Sequence, residues 1–259
     1  MSHAFEALAL GLLVALLAAA AILVWRRFHR AADGDEEGGD AAEYMSMMIA
    51  LLYALLLGLS LVNVWEMRSA AEGHTSTEAG ALHQMTVLSE GMPASRAARI
   101  DALAERYAAH VVQYEWPRMQ QHEQPGEPGW SLVRQLRAAA AAPADAPPPQ
   151  QATAAELLGQ LAVLDDARRG REAVSQETLS PLLWAGMAVG AILSFWILFF
   201  YGIGRGISNL VMVMGMVLLT VFLGLLIHYL ATPFGETMGV SPDAFTRYFP
   251  ESAGTAPEG

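Results

Sequence analysis

Four long apolar runs, paired two and two around a polar stretch of more than a hundred residues, constrain this 259-residue chain more than any other feature. They span Ala7–Trp25, Tyr44–Trp65, Thr178–Gly204 and Gly206–Gly235, and contain no Asp, Glu, Lys or Arg; His228 is their one ionisable imidazole. An uncharged run of about 18 or more residues crosses the roughly 30 Å hydrocarbon core of a bilayer as a helix. A soluble fold would have to bury four such helices completely, and the polar remainder is too small and too loop-rich to wrap them. The expected fold is therefore an all-α integral membrane protein: four transmembrane helices, with a helical extramembrane domain inserted between the second and third. Trp25, Tyr44, Trp65, Trp184, Tyr201 and Tyr229 lie near the ends of the runs, where amphipathic rings rest at headgroup level.

The first run is read as a retained anchor rather than a cleaved signal. No Arg or Lys precedes it, and it is longer than the usual apolar segment of a signal peptide. The expected organisation is a first transmembrane hairpin with an acidic loop over 1–65, the helical domain over 66–180, a second hairpin over 181–235 and a polar C-terminal tail over 236–259.

Composition removes whole classes of function. There is no Cys, which excludes disulfides, thiolate catalysis and Cys-ligated metals. The net charge of −11 is spread over every polar segment, with no basic stripe for a phosphate backbone, so no nucleic-acid partner is expected. Asp33, Asp35 and Glu37 in the first loop have the opening of a calcium loop but lack its remaining spacing and its terminal Glu. His74, His83, His110 and His122 lack metal-ligand spacing, and Gly202, Gly204 and Gly206 around Arg205 follow no strand and suit a tight turn. With no convergent nucleophile, acid or ligand set, neither an enzyme nor a cofactor or metal is expected.

The inserted domain reads as helix. Residues Glu66–Glu90 continue the second span as a rod that Gly91 and Pro93 end. Ile100, Leu103, Tyr107, Val111 and Tyr114 recur at three- and four-residue steps, one face of a helix reaching about Trp116 and stopped by Pro117. A QPGEPG turn, Gln124–Gly129, and a short helix, Trp130–Ala142, follow. Pro143–Gln150 reads as an extended link, after which Thr153 and Glu156 have the spacing of a capping box ahead of Leu157, Leu161 and Leu164.

Two kinds of row mark the spans. Ser46, Ala50, Ala54 and Gly58 on the second, and Gly186, Gly190 and Ser194 on the third, recur every fourth residue and are expected to be helix-packing seams, where small side chains let backbones approach. Tyr53, Ser60 and Asn63 with Arg68 at the mouth, and Thr220, His228 and Thr232 on the fourth span, are candidate pore-lining groups. A permeating ion must regain part of its lost hydration from such groups, although helix packing uses them too.

Three segments resemble, in order and spacing, the bestrophin-like family of bacterial and plant membrane proteins: LLYALLLGLSLVNVWE (Leu51–Glu66), QYEW (Gln113–Trp116) and LATPFGETMGVSPDAF (Leu230–Phe245). The family often has an Asp-Arg pair before Pro-Phe where this chain has Ala231 and Thr232, so any role of that pair does not transfer. The resemblance implies an oligomeric ion channel, with anions as the favoured ion. The expected partners are then the lipid bilayer, further copies of the chain and inorganic ions; the alternative is a non-conducting scaffold or sensor whose helical domain binds a partner. Location in the cell membrane as a multi-pass protein follows. Arg26, Arg27 and Arg30 follow the first run while nothing basic precedes it, which places that loop in the cytoplasm and the large domain outside; the bestrophin analogy places the domain inside.

Overall fold

The computed structural model describes residues 39–200, 207–235 and 238–253. The first apolar run, the arginines after it and the glycine turn around Arg205 lie outside the described residues. Within them the chain is helical throughout: α1 (Gly39–Ser89), α2 (Ala94–His110), a π turn (Val111–Glu115), α3 (Trp116–Gln120), α4 (Glu127–Ala140), α5 (Pro148–Gln176), α6 (Pro181–Phe200), α7 (Ile207–Leu230), α8 (Asp243–Tyr248) and a 3₁₀ turn (Pro250–Ala253). It divides into two compact units, one from the chain up to Trp65 with Thr178–Ala231, the other from Glu66–Glu177 with Thr232 onward.

α1 is a 51-residue helix, roughly 75 Å long at 1.5 Å per residue. It begins at Gly39, inside the stretch expected to be loop, and ends where Gly91 and Pro93 were expected to stop it, with turn bonds Gly91 N–H to Leu88 O and Met92 N–H to Ser89 O. Among the described residues it is the one helix that by itself is long and apolar enough to cross a membrane; the Met214–Leu230 stretch of α7 is apolar but shorter.

In the first unit α1, α6 and α7 share a small core of Tyr53, Leu57, Val64, Leu179, Met187, Ile227, Leu230 and Ala231. Gly190 of α6 lies so close beneath the Tyr53 ring that a Cβ there would overlap it, and a Cβ on Gly186 would press on Leu56 at 3.2 Å. These glycines are the seam through which α6 approaches α1.

The second unit has the larger core. The apolar stripe of α1 (Ala71, Ala79, Leu82, Met85) packs with Ile100, Leu103 and Tyr107 of α2, Leu132 and Leu136 of α4, and Leu157, Leu161 and Leu164 of α5. Each fully buried leucine contributes on the order of 1.5–3 kcal/mol. Phe245 and Phe249, in the stretch expected to be a polar tail, are buried in this core with Phe234 just before it; Phe234 meets Trp116 edge-on at 5.3 Å, and Tyr248 stacks on His83 at 4.6 Å.

Three local expectations change. Pro117 does not end its helix, because the preceding turn widens to a π turn in which Trp116 N–H bonds to Val111 O, five residues back, and the chain resumes as α3 with proline in its first turn. The extra residue also rotates the face: Tyr114, expected inside, is 62% exposed, and Glu115 and Trp116 are buried instead. Finally, α5 starts at Pro148 within the proline link, so Thr153 lies inside the helix and its hydroxyl donates back to Pro149 O at 3.1 Å rather than capping it.

Candidate functional site

The polar and small residues of the spans separate into two groups in the first unit. Tyr53 is buried against Gly190, and Ser60 is buried with its hydroxyl donating to Leu56 O of its own helix at 2.9 Å. Thr220 joins Tyr53, Ala50, Ala54 and Gly58 along an apolar cleft of about 270 Å³ between α1 and α7. A Cβ on Gly58 would meet nothing within 4 Å, so this small-residue row is not filled within the described chain, unlike the Gly186–Gly190 row. Ser46 is half-buried and Ser194 is buried. Asn63 and His228 are exposed, His228 with its ring near Trp184 (6.0 Å) and Tyr229 (5.7 Å). The face of α1 carrying Leu51, Leu55, Leu59 and Val62 is more than half exposed at each position, an apolar stripe that no described helix covers.

Arg68 and Thr232 belong to the second unit. The Arg68 guanidinium donates to the carbonyl of Met238, tethering the C-terminal segment to α1, and Thr232 is half-buried.

The strongest concentration of charge is elsewhere in the second unit, and sequence reasoning missed it. Glu78 on α1, Glu115 at the end of the π turn, and Arg168 and Arg171 on α5 have side chains with 0% exposure, and Tyr107 of α2 completes the group. Arg171 donates from Nε to Glu78 Oε2 at 2.5 Å, and from Nη2 to Glu78 Oε1 at 2.9 Å and Glu115 Oε2 at 2.8 Å. Arg168 forks onto Glu115, Nη2 to Oε1 at 2.6 Å and Nη1 to Oε2 at 3.1 Å, and also donates to the Tyr107 hydroxyl at 2.9 Å. That hydroxyl in turn donates to Glu78 Oε1, closing the ring of contacts. The Arg168 guanidinium lies 5.5 Å from the Tyr107 ring centre and 4.9 Å from that of Trp130.

Two carboxylates and two guanidiniums balance formally, and the bidentate geometry is what makes burial of four charges tolerable. Burial alone would raise the Glu115 carboxyl; Arg171 and Arg168 outweigh it and hold the group below its usual range. Burial, then the Glu78 carboxylate, push the Tyr107 phenol well up, so it stays protonated as a donor. His110 is pulled down by burial despite Glu115 Oε1 at 3.6 Å from its Nε2, and so remains neutral beside the network. Gly129 of α4 lets that helix approach, since a Cβ there would collide with Glu115 and Arg168. Glu172 Oε1 adds a further contact to Arg168 Nη2 at 3.0 Å, and Arg168 Nε is a buried donor left without a hydrogen-bond partner; the arrangement is otherwise closed, which suits it to locking α1, α2, the π turn and α5 together. Among the described residues no cluster of His, Asp and Glu could hold a metal ion.

A signal for this cluster existed. Leu161, Leu164, Arg168, Arg171 and Ser175 continue one stripe at three- and four-residue steps, as do Ala71, Thr75, Glu78 and Leu82 on α1. Reading charged residues as surface by default hid both.

The described residues pair apolar helices with a charge-locked helical unit, as a helical membrane protein does. The sequence profile of the bestrophin-like domain matches residues 11–245, and the chain belongs to the bestrophin-like family. Two solved point variants of a bacterial bestrophin homologue from Klebsiella pneumoniae share the fold: one with TM-score 0.67 and 13% identity over 95% of this chain and 98% of that one, the other with TM-score 0.65 and 12% identity over 97% and 99%. A further crystal structure, of a variant described as a membrane protein, aligns with TM-score 0.68 and 14% identity over 96% and 99%. Among curated proteins no relative matches the chain.

Proposed function

We propose that this chain is one subunit of a bestrophin-type ion channel, a multi-pass homo-oligomer of the cell membrane with four spans. The family match over residues 11–245 carries this reading. The uncovered stripe of α1 supports it: Leu51, Leu55, Leu59 and Val62 are exposed in the single subunit, and in an assembly they would face either lipid or the axis shared with other copies. Asn63, exposed at the end of that stripe, is the α1 candidate that would line such an axis, whereas the buried Ser60 hydroxyl donates within its own helix. Selectivity for anions rests on the family resemblance alone, and exposed Glu66, just beyond Asn63, would itself favour cations.

The test is purification, sizing of the detergent-solubilised assembly and recording in planar bilayers under a KCl gradient. Discrete openings from an oligomer support the channel, and the sign of the reversal potential decides the ion. Asn63→Leu and His228→Gln are expected to change unitary conductance at unchanged assembly size. A stable oligomer that never conducts would replace the channel by the scaffold reading.

A further inference from the structure

Two buried polar atoms beside the charge network lack an aligned hydrogen bond, and they flank the same contact. His110 Nε2, at the end of α2, stands 3.6 Å from Glu115 Oε1, about 0.7 Å beyond an ordinary bond. Glu172 Oε1, on α5, stands 3.0 Å from Arg168 Nη2 yet takes no aligned hydrogen bond from it. Between them runs the 2.6 Å bond from Arg168 Nη2 to Glu115 Oε1. A proton on His110 would satisfy both orphans in one exchange, the imidazolium donating to Glu115 Oε1 and the guanidinium turning its Nη2 to Glu172 Oε1.

Charge favours the same exchange. With Glu172 counted, Arg168 and Arg171 face the three carboxylates of Glu78, Glu115 and Glu172, two cations against three anions. A protonated His110 brings the set to neutrality. Of the other charged groups on neighbouring elements, Glu127 and Arg134 of α4 pair with each other in solvent, and Arg106 of α2 and Glu251 of the 3₁₀ turn are exposed. The backbone at the exchange is also irregular: Glu115 ends the π turn, which carries Tyr114 stacked on His110 at 5.4 Å, and such turns recur at functional sites.

We propose that His110 is a proton-operated latch on the π turn: on protonation Glu115 Oε1 passes from Arg168 to His110, and Arg168 Nη2 passes from Glu115 to Glu172. Burial lowers the His110 imidazole against the pull of Glu115, and Arg168 and Arg171 lower it further, so the latch works on acidification below the ordinary value of about 6.5. Burial also raises the Glu172 carboxyl, which makes it the second group able to take up a proton there. The experiment therefore has to tell the two apart.

The detergent-solubilised full chain, labelled with carbon-13 at the imidazole Cε1, is titrated by NMR from about pH 8 to 5, with His110 assigned as the signal lost in His110→Gln. A His110 midpoint below its ordinary value is expected, and in Glu172→Gln its proton affinity is expected to fall by about threefold or more, because one anion of the set is gone. Amide exchange over the π turn and α3, corrected for the intrinsic effect of pH, is expected to change across the same midpoint in the wild type and not in His110→Gln. Glu172→Gln leaves the imidazole in place, so it reads the coupling even where His110→Gln is unstable. A His110 signal that does not titrate above about pH 5, a midpoint that Glu172→Gln leaves in place, or an exchange change that persists in His110→Gln would each overturn the proposal.

Discussion

Replacing Arg171 by methionine tests whether the buried network holds the helical unit together. Methionine keeps the length and apolar stem, so the change is chiefly the loss of one charge and three carboxylate contacts at 2.5, 2.9 and 2.8 Å. Glu78 and Glu115, both with 0% side-chain exposure, would then share the single guanidinium of Arg168, whose distance to Glu78 Oε1 is already 4.0 Å. Removing one partner of a buried pair costs about 3–5 kcal/mol, because the other charge is left desolvated. For a chain of this size that is a fall of roughly 6–20 °C in melting temperature.

The pH dependence carries the sharper sign. In the wild type the Glu115 carboxyl is held below its usual range, so its contribution is present above the unfolded value near pH 4.3 and is lost as pH falls through the folded one. In Arg171→Met the surplus carboxylate is pushed the other way and takes up a proton on folding. Its penalty is largest at neutral pH and disappears as pH falls toward the unfolded value. The gap between variant and wild type, read by thermal melts in detergent from pH 8 to 5, is therefore expected to narrow on acidification. A variant within about 1 kcal/mol of wild type, or a gap that does not move with pH, would refute the reasoning.

Gly190→Leu is expected to cost at least about 1–3 kcal/mol, since its side chain must displace the Tyr53 ring; an unchanged melting temperature and assembly size would show that the seam has slack. Ala144→Cys, exposed in a chain without other cysteines, is expected to react with an impermeant maleimide on intact cells if the first-run arginines set topology; labelling only after lysis would put the helical unit in the cytoplasm. Replacing Glu78, Glu115, Arg168 and Arg171 together by methionine is expected to restore the melting temperature to within a few degrees of wild type or above, in contrast to the single change. A quadruple variant as unstable as Arg171→Met would show that volume and packing, not unpaired charge, set the cost.

What could be read from the chain followed the strength of each periodic signal. The rod from Glu66 to its stop at Gly91 and Pro93 was legible because a long apolar run passes into an amphipathic stripe without a breaker. The α2 face was legible through Val111 and then failed at Tyr114, because a single inserted residue in a π turn has no composition of its own and moves every later side chain round the helix by about a hundred degrees. The burial of Phe245 and Phe249 was not legible because the helix that carries the segment, Asp243–Tyr248, is too short to show a periodic stripe. Two small-residue rows that look identical in sequence differ in surroundings: Gly186 and Gly190 lie close against Leu56 and Tyr53, whereas Ala50, Ala54 and Gly58 border an open cleft. Spacing identifies a close-approach surface but not whether a neighbour fills it.

The π turn connects that failure to the network. Without the inserted residue, the α2 stripe would carry Tyr114 inward and turn Glu115 to solvent, and Arg168 and Arg171 would keep only Glu78 between them: two buried cations on one carboxylate. The turn supplies the second carboxylate at the place where the two arginines need it. The helices that the network joins are rich in alanine, from Ala71, Ala79 and Ala81 on α1 and Ala104 and Ala108 on α2 to Ala154 and Ala167 on α5, and alanine faces discriminate poorly between registers one turn apart. A bidentate fork between Arg168 and Glu115 does discriminate, since sliding α5 by one turn, about 5.4 Å, would break every contact of the group at once. On this argument the network contributes register more than stability. The quadruple-methionine chain separates the two: near-native melting with broadened, heterogeneous amide-exchange protection across α5 marks a lost register lock, and uniform native protection would leave the charges with no such role.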